Sequence, residues 1–510
     1  MEETLVKRSD YLKLKYKFFI IRLVTYFSFL CIPLWIKNTM QFNLLFQSVI
    51  MLAYILFMSS QWYLFGKEID HRLKIYYRAN SSMERIVYRL VLGSIIMMIL
   101  FSLFSLLPNE LLGIVFWTFF SVLGIFYSWP TRGKIIEESM AGQFGEMRYL
   151  DSFEKTILIL SVLTFMISLP ELSFFENTEA LKLYFDPEQK VSYMFWGYLE
   201  VLYYPFSIFP KLYNLIWCFH FYFFGLGIYL MCFYCFARYF FSRRLSMLGV
   251  FAILSTWSFS RILVDDYFST ISTTVTMLWV WSILWSMRSG TYRSGLLTGL
   301  VGCYLTSIDS INILLIPLSM FISYKLFLNE KTIWFKKQWI KYNLLGSVIA
   351  LVVVISKFSS IELSFNHYDL LISGIYDLIY RKAFFIISPI GVILLIVYLT
   401  RRSGLILTYV NFDKTKILEA LFGFVAIVFY GIAIQPSFVM GFSNVWILVF
   451  FCLLPIEWIF QSISRLRSKR NLIYAMYILV CLLDSHLENR FRIVGKMFLE
   501  FETLKHFIQL

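Results

Sequence analysis

The sequence predicts an all-α fold, a polytopic transmembrane helical bundle, on three observations. Hydrophobic residues make up 59% of the 510 and aromatic ones 20%, while charged residues are held to 15%. A water-soluble globule has no use for that much apolar surface. Apolar stretches of the length that crosses a bilayer core recur along the chain, and short Lys/Arg clusters separate them. At roughly 20 residues per crossing, they amount to about fifteen spans.

The net charge of +14 would suit a nucleic-acid partner, but the basic residues lie in short runs at helix ends and form no continuous patch. The positive-inside rule accounts for them, so membrane lipids are expected as partners and nucleic acid is not. Seven cysteines (Cys31, Cys218, Cys232, Cys235, Cys303, Cys452, Cys481) lie in or beside apolar stretches. That argues for small packed residues, against a disulfide framework and against a zinc site. Cys232-x-x-Cys235 has a redox spacing, yet Phe233, Tyr234 and Phe236 put it inside a span.

The polar start (Lys7, Arg8, Asp10, Lys13, Lys15, Lys17) has no small-residue cleavage site after the first apolar run, and is expected to be retained in the cytoplasm. From there the first spans fall near 18–36, 43–65, 86–107 and 111–129. They return the chain to the inside at Lys67, Arg72, Lys74, Arg78 and Arg85, and again at Arg132, Lys134, Arg148 and Lys155. A fifth, near 156–171, leads outside to Glu171, Glu176, Glu179, Asp186 and Glu188, then to the aromatic run 193-SYMFWGYLEVLYYPFSIFPKLYNLIW. Its pattern predicts interfacial helices in this first outer loop, with rings at headgroup level.

Spans near 216–237 and 246–263 follow, turning inside at Arg238, Arg243 and Arg244. The pair near 268–287 and 294–308 turns on Arg288 and Arg293. The span near 311–328 precedes the most basic loop, Lys325 to Lys341, and one near 343–356 opens a second outer loop with Lys357, Glu362, His367, Asp369, Asp377, Arg381 and Lys382. The last spans lie near 384–400, 417–434, 445–464 and 471–484. Three parts result: a four-helix head at 1–150, a core at 151–485 and an amphipathic tail at 486–510.

With orientation fixed, outside cations need another reason than topology. Arg261, Arg381 and Lys382 are the foremost, with Lys211 and Lys357 behind them. A membrane enzyme acting on a lipid phosphate needs cations at that level and a carboxylate nearby as general base. Glu176, Glu179, Asp265 and Asp266 emerge on the same face. Taken singly, each reads more readily as a solvated loop charge; their coincidence on one face favours a shared site for the set.

The order of features from about 156 to 460 resembles the GT-C glycosyltransferases, in the branch of protein O-mannosyltransferases and the aminoarabinose transferases of lipid A. The stretch 167-ISLPELSFFENTEAL is similar to that family's acidic outer-loop motif, with Glu176 at its Asp position, Asn177 at its Glu position and Glu179 nearby. The segments 204-YPFSIFPKLYNL and 236-FARYFFSRRLSMLGVFAILS resemble the elements that follow. The run 260-SRILVDDYFSTISTTVTMLWVWSILW resembles an Arg-x4-Asp element opening a long helix, with Asp266 at the acid and Asp265 as its alternative. Last, 380-YRKAFFIISPIGVILL and 441-GFSNVWILVFFCLLPIEW resemble the basic Ser-Pro and Gly-Phe segments, the second without its usual Arg.

The resemblance implies transfer of a sugar from a polyprenyl-phosphate donor to a lipid, glycan or protein acceptor on the non-cytoplasmic face, with inversion. Glu176 would activate the acceptor hydroxyl and Asp266 would order the acceptor or the base. Arg381, Lys382 and Arg261 would hold the leaving phosphate. It implies no metal and no other cofactor, and a bacterial cytoplasmic membrane is the expected location.

The head lies outside that core. Its 65-FGKEIDHRLK and 124-GIFYSWPTRGK faintly resemble half of an intramembrane prenyltransferase, but Glu68 and Asp70 are too few carboxylates to hold Mg²⁺ on a diphosphate. A non-catalytic bundle is expected. Competing readings are a transporter or flippase, which would carry an internal repeat and broken helices, and a non-catalytic membrane protein. An O-acyltransferase would need an intramembrane histidine; His220 in 217-WCFHFYFFG is expected to be packed without a polar neighbour.

Overall fold

The computed structural model describes residues 19–28, 44–73, 82–104, 109–127, 150–168, 198–199, 201–207, 225–255, 267–288, 291–308, 315–324, 331–355 and 468–484. Isolated positions between them are Lys13, Tyr16, Lys17, Ile216, His220, Leu328, Trp446, Val449, Phe450, Leu453 and Ile456. Every regular element among the described residues is helical. After a first helical stretch, Phe19–Ser28, the head holds α1 (Leu44–Leu73), α2 (Ser82–Phe104) and α3 (Asn109–Tyr127). Then come α4 (Ser152–Ser168), the single turn α5 (Tyr204–Ser207), α6 (Leu226–Ala237), α7 (Arg243–Ser255) and α8 (Tyr267–Arg288). The last are α9 (Ser294–Ile308), α10 (Leu315–Ile322), α11 (Ile333–Ile355) and α12 (Arg470–Asp484).

These helices fall where the apolar stretches predicted them. The expected spans near 384–400 and 417–434 and the tail at 486–510 lie outside the described residues, and the span near 445–464 is described only at its five isolated positions. Among the described residues, two helical stretches, Val49–Leu73 and Met83–Phe104, are long and apolar enough to cross a membrane.

Two helices outrun their apolar cores. The first, α1, continues through Glu68, Asp70 and Arg72, where hydropathy predicts a loop, because its charges find partners. Arg72 Nε donates to Glu68 Oε1 at 2.8 Å one turn away, and Asp70 pairs across to α2. The second, α11, begins at Ile333, ten residues before the expected 343, so Lys336, Lys337 and Lys341 are helical and not part of a basic loop. Thr332 caps it, its Oγ1 accepting the Phe335 N–H at 3.3 Å.

Close backbone contact sets two crossings. In the antiparallel pair α1–α2, a Cβ on Gly66 would overlap the Arg89 carbonyl and one on Gly93 the Trp62 carbonyl. The parallel pair α9–α11 is built alike: Gly295 and Gly299 meet the carbonyls of Trp339 and Asn343, and Gly346 meets that of Leu296. Small residues four apart that bring backbones together are the packing device of helices in lipid.

One continuous apolar core runs from Tyr26 in the first helix to Cys481 in α12, including residues on both sides of position 150. Polarity is reversed relative to a soluble protein. Ile159 on α4, Val348 on α11 and Met476 on α12 are 59%, 52% and 61% exposed, whereas Asp70, Glu84, Arg89 and Glu154 are all under 9%. Among the described residues, many large apolar side chains are exposed while these four charged ones turn inward, although others such as Arg72, Lys155 and Lys337 stay exposed.

Candidate functional site

Two polar networks, the first buried and the second partly exposed, tie the helices together at the ends that the basic clusters assign to the cytoplasm. In the first, α2 supplies Glu84, Tyr88 and Arg89. Tyr239 Oη and Trp281 Nε1 each donate to Glu84 Oε1 at 2.8 Å, which joins α2 to the turn after α6 and to α8. One turn along, Arg89 Nε and Tyr88 Oη both donate to the Asp70 carboxylate at 3.3 Å. The Arg89 guanidinium also reaches Tyr63, donating to its hydroxyl at 3.3 Å and lying 5.9 Å from its ring centroid. Each carboxylate oxygen named here already accepts a donor, so the network is built to hold helices in register. Asp70 and Glu68, the two head carboxylates weighed for Mg²⁺, are both taken by arginine.

The second network starts from a reciprocal cap on α4. The Glu154 N–H donates to Asp151 Oδ1 at 2.8 Å, and the Asp151 N–H donates back to Glu154 Oε2 at 3.0 Å, a capping box formed by two acids. Arg243 then grips Glu154 with both arms, Nε to Oε1 at 2.7 Å and Nη2 to Oε2 at 2.6 Å. This is the bidentate form in which Arg–carboxylate pairs are strongest. Arg244 pairs with Asp151 and donates through Nη1 to Asn471 Oδ1 at 3.3 Å, so the starts of α4, α7 and α12 are knotted together. Desolvation works against ionisation of Asp151, but the Glu154 backbone N–H, Arg244 and Arg243 outweigh it and hold the carboxyl below the usual carboxylate range.

On the expected outer side, where interfacial helices are predicted, the described part of the aromatic run, 198–199 and 201–207, is helical but buried in the bundle. Tyr198, Leu199, Leu202, Tyr203 and Phe206 are all at most 2% exposed, sunk between α1, α2 and α3. Trp62 Nε1 donates to Tyr198 Oη at 2.6 Å, and the Tyr54 hydroxyl donates to the Leu202 carbonyl. Rings with one polar atom suit a headgroup layer and a bundle interior equally, so sequence alone could not choose. His220 is buried as expected, but it has a polar neighbour, the Tyr203 hydroxyl at its Nδ1. Cys232 and Cys235 are buried and form no disulfide.

The carboxylates Glu176, Glu179, Asp265 and Asp266 and the cations Arg261, Arg381 and Lys382 all lie outside the described residues. The structure therefore reports neither their positions nor whether they meet. Nearest to them, α8 opens at Tyr267, the residue after Asp266, where the resemblance expects a long helix to begin. What sequence reasoning missed is the inward use of Glu84, Asp70, Arg89 and Glu154, which read as ordinary loop or helix-end charges. One signal was available for α4: Asp151 and Glu154 stand at the spacing of a capping box. Among the described residues, no group of three or more His, Cys, Asp or Glu side chains gathers as a metal site would. Comparison with protein-family models, with curated proteins and with solved structures finds no match to this chain.

Proposed function

We propose that this chain is a multi-pass protein of a bacterial cytoplasmic membrane with its N-terminus inside, and that it transfers a sugar from a polyprenyl-phosphate donor to an acceptor on the opposite face. The observation that carries the membrane reading is the reversed polarity. Apolar side chains such as Ile159, Val348 and Met476 face outward while the ion pair Arg89–Asp70 and the Glu154 carboxylate are enclosed. In water that arrangement would aggregate; in hydrocarbon it is the stable one.

The transferase reading rests on the sequence pattern and is supported by the direction of α8. This helix has 22 residues and carries Trp281, bound to Glu84, toward its C-terminal end. At 1.5 Å per residue it is about 33 Å long from end to end, close to a bilayer core of about 30 Å. Asp265 and Asp266 precede that first turn in sequence, at the end away from the basic networks.

In the proposed reaction Glu176, or Glu179, takes the proton of an acceptor hydroxyl. The hydroxyl oxygen forms a bond to the anomeric carbon from the face opposite the phosphate, the bond from that carbon to the phosphate oxygen breaks, and polyprenyl phosphate leaves. Asp266, or Asp265, orders the acceptor or the base, and Arg381, Lys382 and Arg261 stabilise the phosphate as its charge grows.

The test is incorporation of label from polyprenyl-phosphate sugars into lipid or protein in membranes carrying the wild-type chain, Glu176→Ala or Asp266→Ala. Transfer by the wild type and its loss in both variants is the expected result. A wild type that transfers nothing from any such donor refutes the transferase and leaves the membrane reading standing.

A further inference from the structure

The helix α11 carries its charge in a way that topology does not require. It packs on α9 through Trp339, Asn343 and Gly346. From Ile333 to Ile355 it contains no Asp or Glu, yet its first three turns hold Lys336, Lys337 and Lys341. Cations are unfavourable at that end, where the helix dipole is positive, and lysines one turn apart repel each other. Marking the cytoplasmic side needs only the lysines that precede the helix, Lys325 and Lys331.

The protein itself accommodates one of the three. Lys336 is buried, and its Nζ lies 5.1 Å from the centroid of the Tyr324 ring. Lys337 and Lys341 are exposed, and among the described residues neither has a hydrogen-bond or ion-pair partner. They stand one turn apart on the face turned away from α9, with Cβ atoms about 6 Å from each other. One phosphate group can bridge that span and cancel the repulsion.

The same exposed face is apolar on both sides of the pair, with Trp334 before it and Leu345 and Val348 after it. Trp334 is held edge-on against Tyr292, ring centroids 5.4 Å apart, and Tyr292 also meets Tyr342 at 5.3 Å. The 23 residues of α11 make about 34 Å of helix, slightly more than a bilayer core of about 30 Å. With the C-terminal end of α11 at the outer boundary, Trp334 falls at headgroup level. Lys337 and Lys341 then start just inside, from where their amines reach back to the phosphates. A soluble anion gains nothing from Leu345 and Val348, whereas a lipid covers them with its chains.

We infer that Trp334, Lys337 and Lys341 form a binding site for the headgroup phosphate of an anionic phospholipid in the cytoplasmic leaflet, whose acyl chains lie along Leu345 and Val348. The site rests on the membrane reading proposed above and is independent of the transferase.

The test uses the full chain in mixed micelles in which phosphatidylglycerol is titrated against phosphatidylcholine, with bound lipid counted by native mass spectrometry. The wild type is expected to retain phosphatidylglycerol in preference to phosphatidylcholine, and Lys337→Ala/Lys341→Ala to bind it about tenfold more weakly. Arg72→Ala/Lys155→Ala removes the same charge from exposed positions on other helices and should bind as the wild type does. Inorganic phosphate in excess, with ionic strength matched by chloride, should leave the lipid in place.

Equal retention of the two lipids by the wild type overturns the site. So does an equal loss in the Arg72/Lys155 variant, which would mean diffuse attraction, and so does displacement by inorganic phosphate, which would mean a soluble anion. Recovery of the wild-type chain in the soluble fraction refutes the membrane reading itself, before any lipid is counted.

Discussion

Replacing Glu154 by Ala tests whether the knot at the start of α4, α7 and α12 carries stability. The carboxylate is 3% exposed and held bidentately by Arg243, itself 29% exposed. Breaking a buried ion pair by removing one partner costs about 3–5 kcal/mol, because the other charge is left in the interior. Water can reach part of the Arg243 guanidinium, so the low end, about 3 kcal/mol, applies. The Asp151 N–H also loses the oxygen it donates to, which adds about 1 kcal/mol, as for a lost cap.

A destabilisation of about 4 kcal/mol is therefore expected from those two terms. It can be read as a shift in SDS-induced unfolding of the protein in mixed micelles, followed by tryptophan fluorescence. Arg243→Ala should cost nearly as much, and the double variant should fall short of the sum by about 2 kcal/mol, within the range for residues in contact. Wild-type unfolding for Glu154→Ala, or strict additivity in the cycle, would refute the reasoning.

Four further outcomes follow from the same geometry. Gly299→Leu should cost about 3 kcal/mol by the same unfolding assay, since its Cβ would overlap the Asn343 carbonyl. Gly302→Ala should change stability by under about 1 kcal/mol, because its nearest neighbour, Trp279 Nε1, is 3.5 Å from the added carbon. Tyr239→Phe and Trp281→Phe should each cost about 1.5–3 kcal/mol, the worth of a hydrogen bond to a charged group, and Glu84→Ala more than either, since it strands both donors. As for pH, Asp151 is held below its unfolded value of about 3.9. Its contribution is complete above pH about 4 and lost as pH falls through the folded value. The stability gap between wild type and Asp151→Asn should then close on acidification; a gap that widens contradicts the assignment.

Among the described residues, the helical plan was largely legible because apolar stretches of similar length recur and short basic clusters separate them. The stretch expected at 294–308 is α9, residue for residue, and α8 departs from 268–287 by a single residue at each end. Ends were legible only where polarity changes abruptly. Hydropathy stops α1 at 65, but Asp70 and Arg72 stay helical because each has an ion-pair partner, and pairing is a property of three-dimensional neighbours.

The same limit hid the networks. Glu84 sits at the start of an apolar helix and reads as an ordinary first-turn acid until Tyr239 and Trp281, more than 150 residues away, arrive at its oxygen. The aromatic run at 193–218 was conspicuous, yet the burial of its described residues 198–199 and 201–207 places Tyr198 and Leu202 against Trp62 and Tyr54, far away in sequence. The outer-face constellation of Glu176, Asp266 and Arg381 is read from sequence order and the resemblance alone.

The most direct test of the central claim, a helical protein spanning the membrane with its polar networks on the cytoplasmic side, is accessibility of single cysteines in a cysteine-free chain. Lys155→Cys and Lys337→Cys, at the starts of α4 and α11, should resist an impermeant maleimide in intact cells and react in inverted vesicles. Reaction of either from outside intact cells, or recovery of the chain in the soluble fraction, would contradict the account.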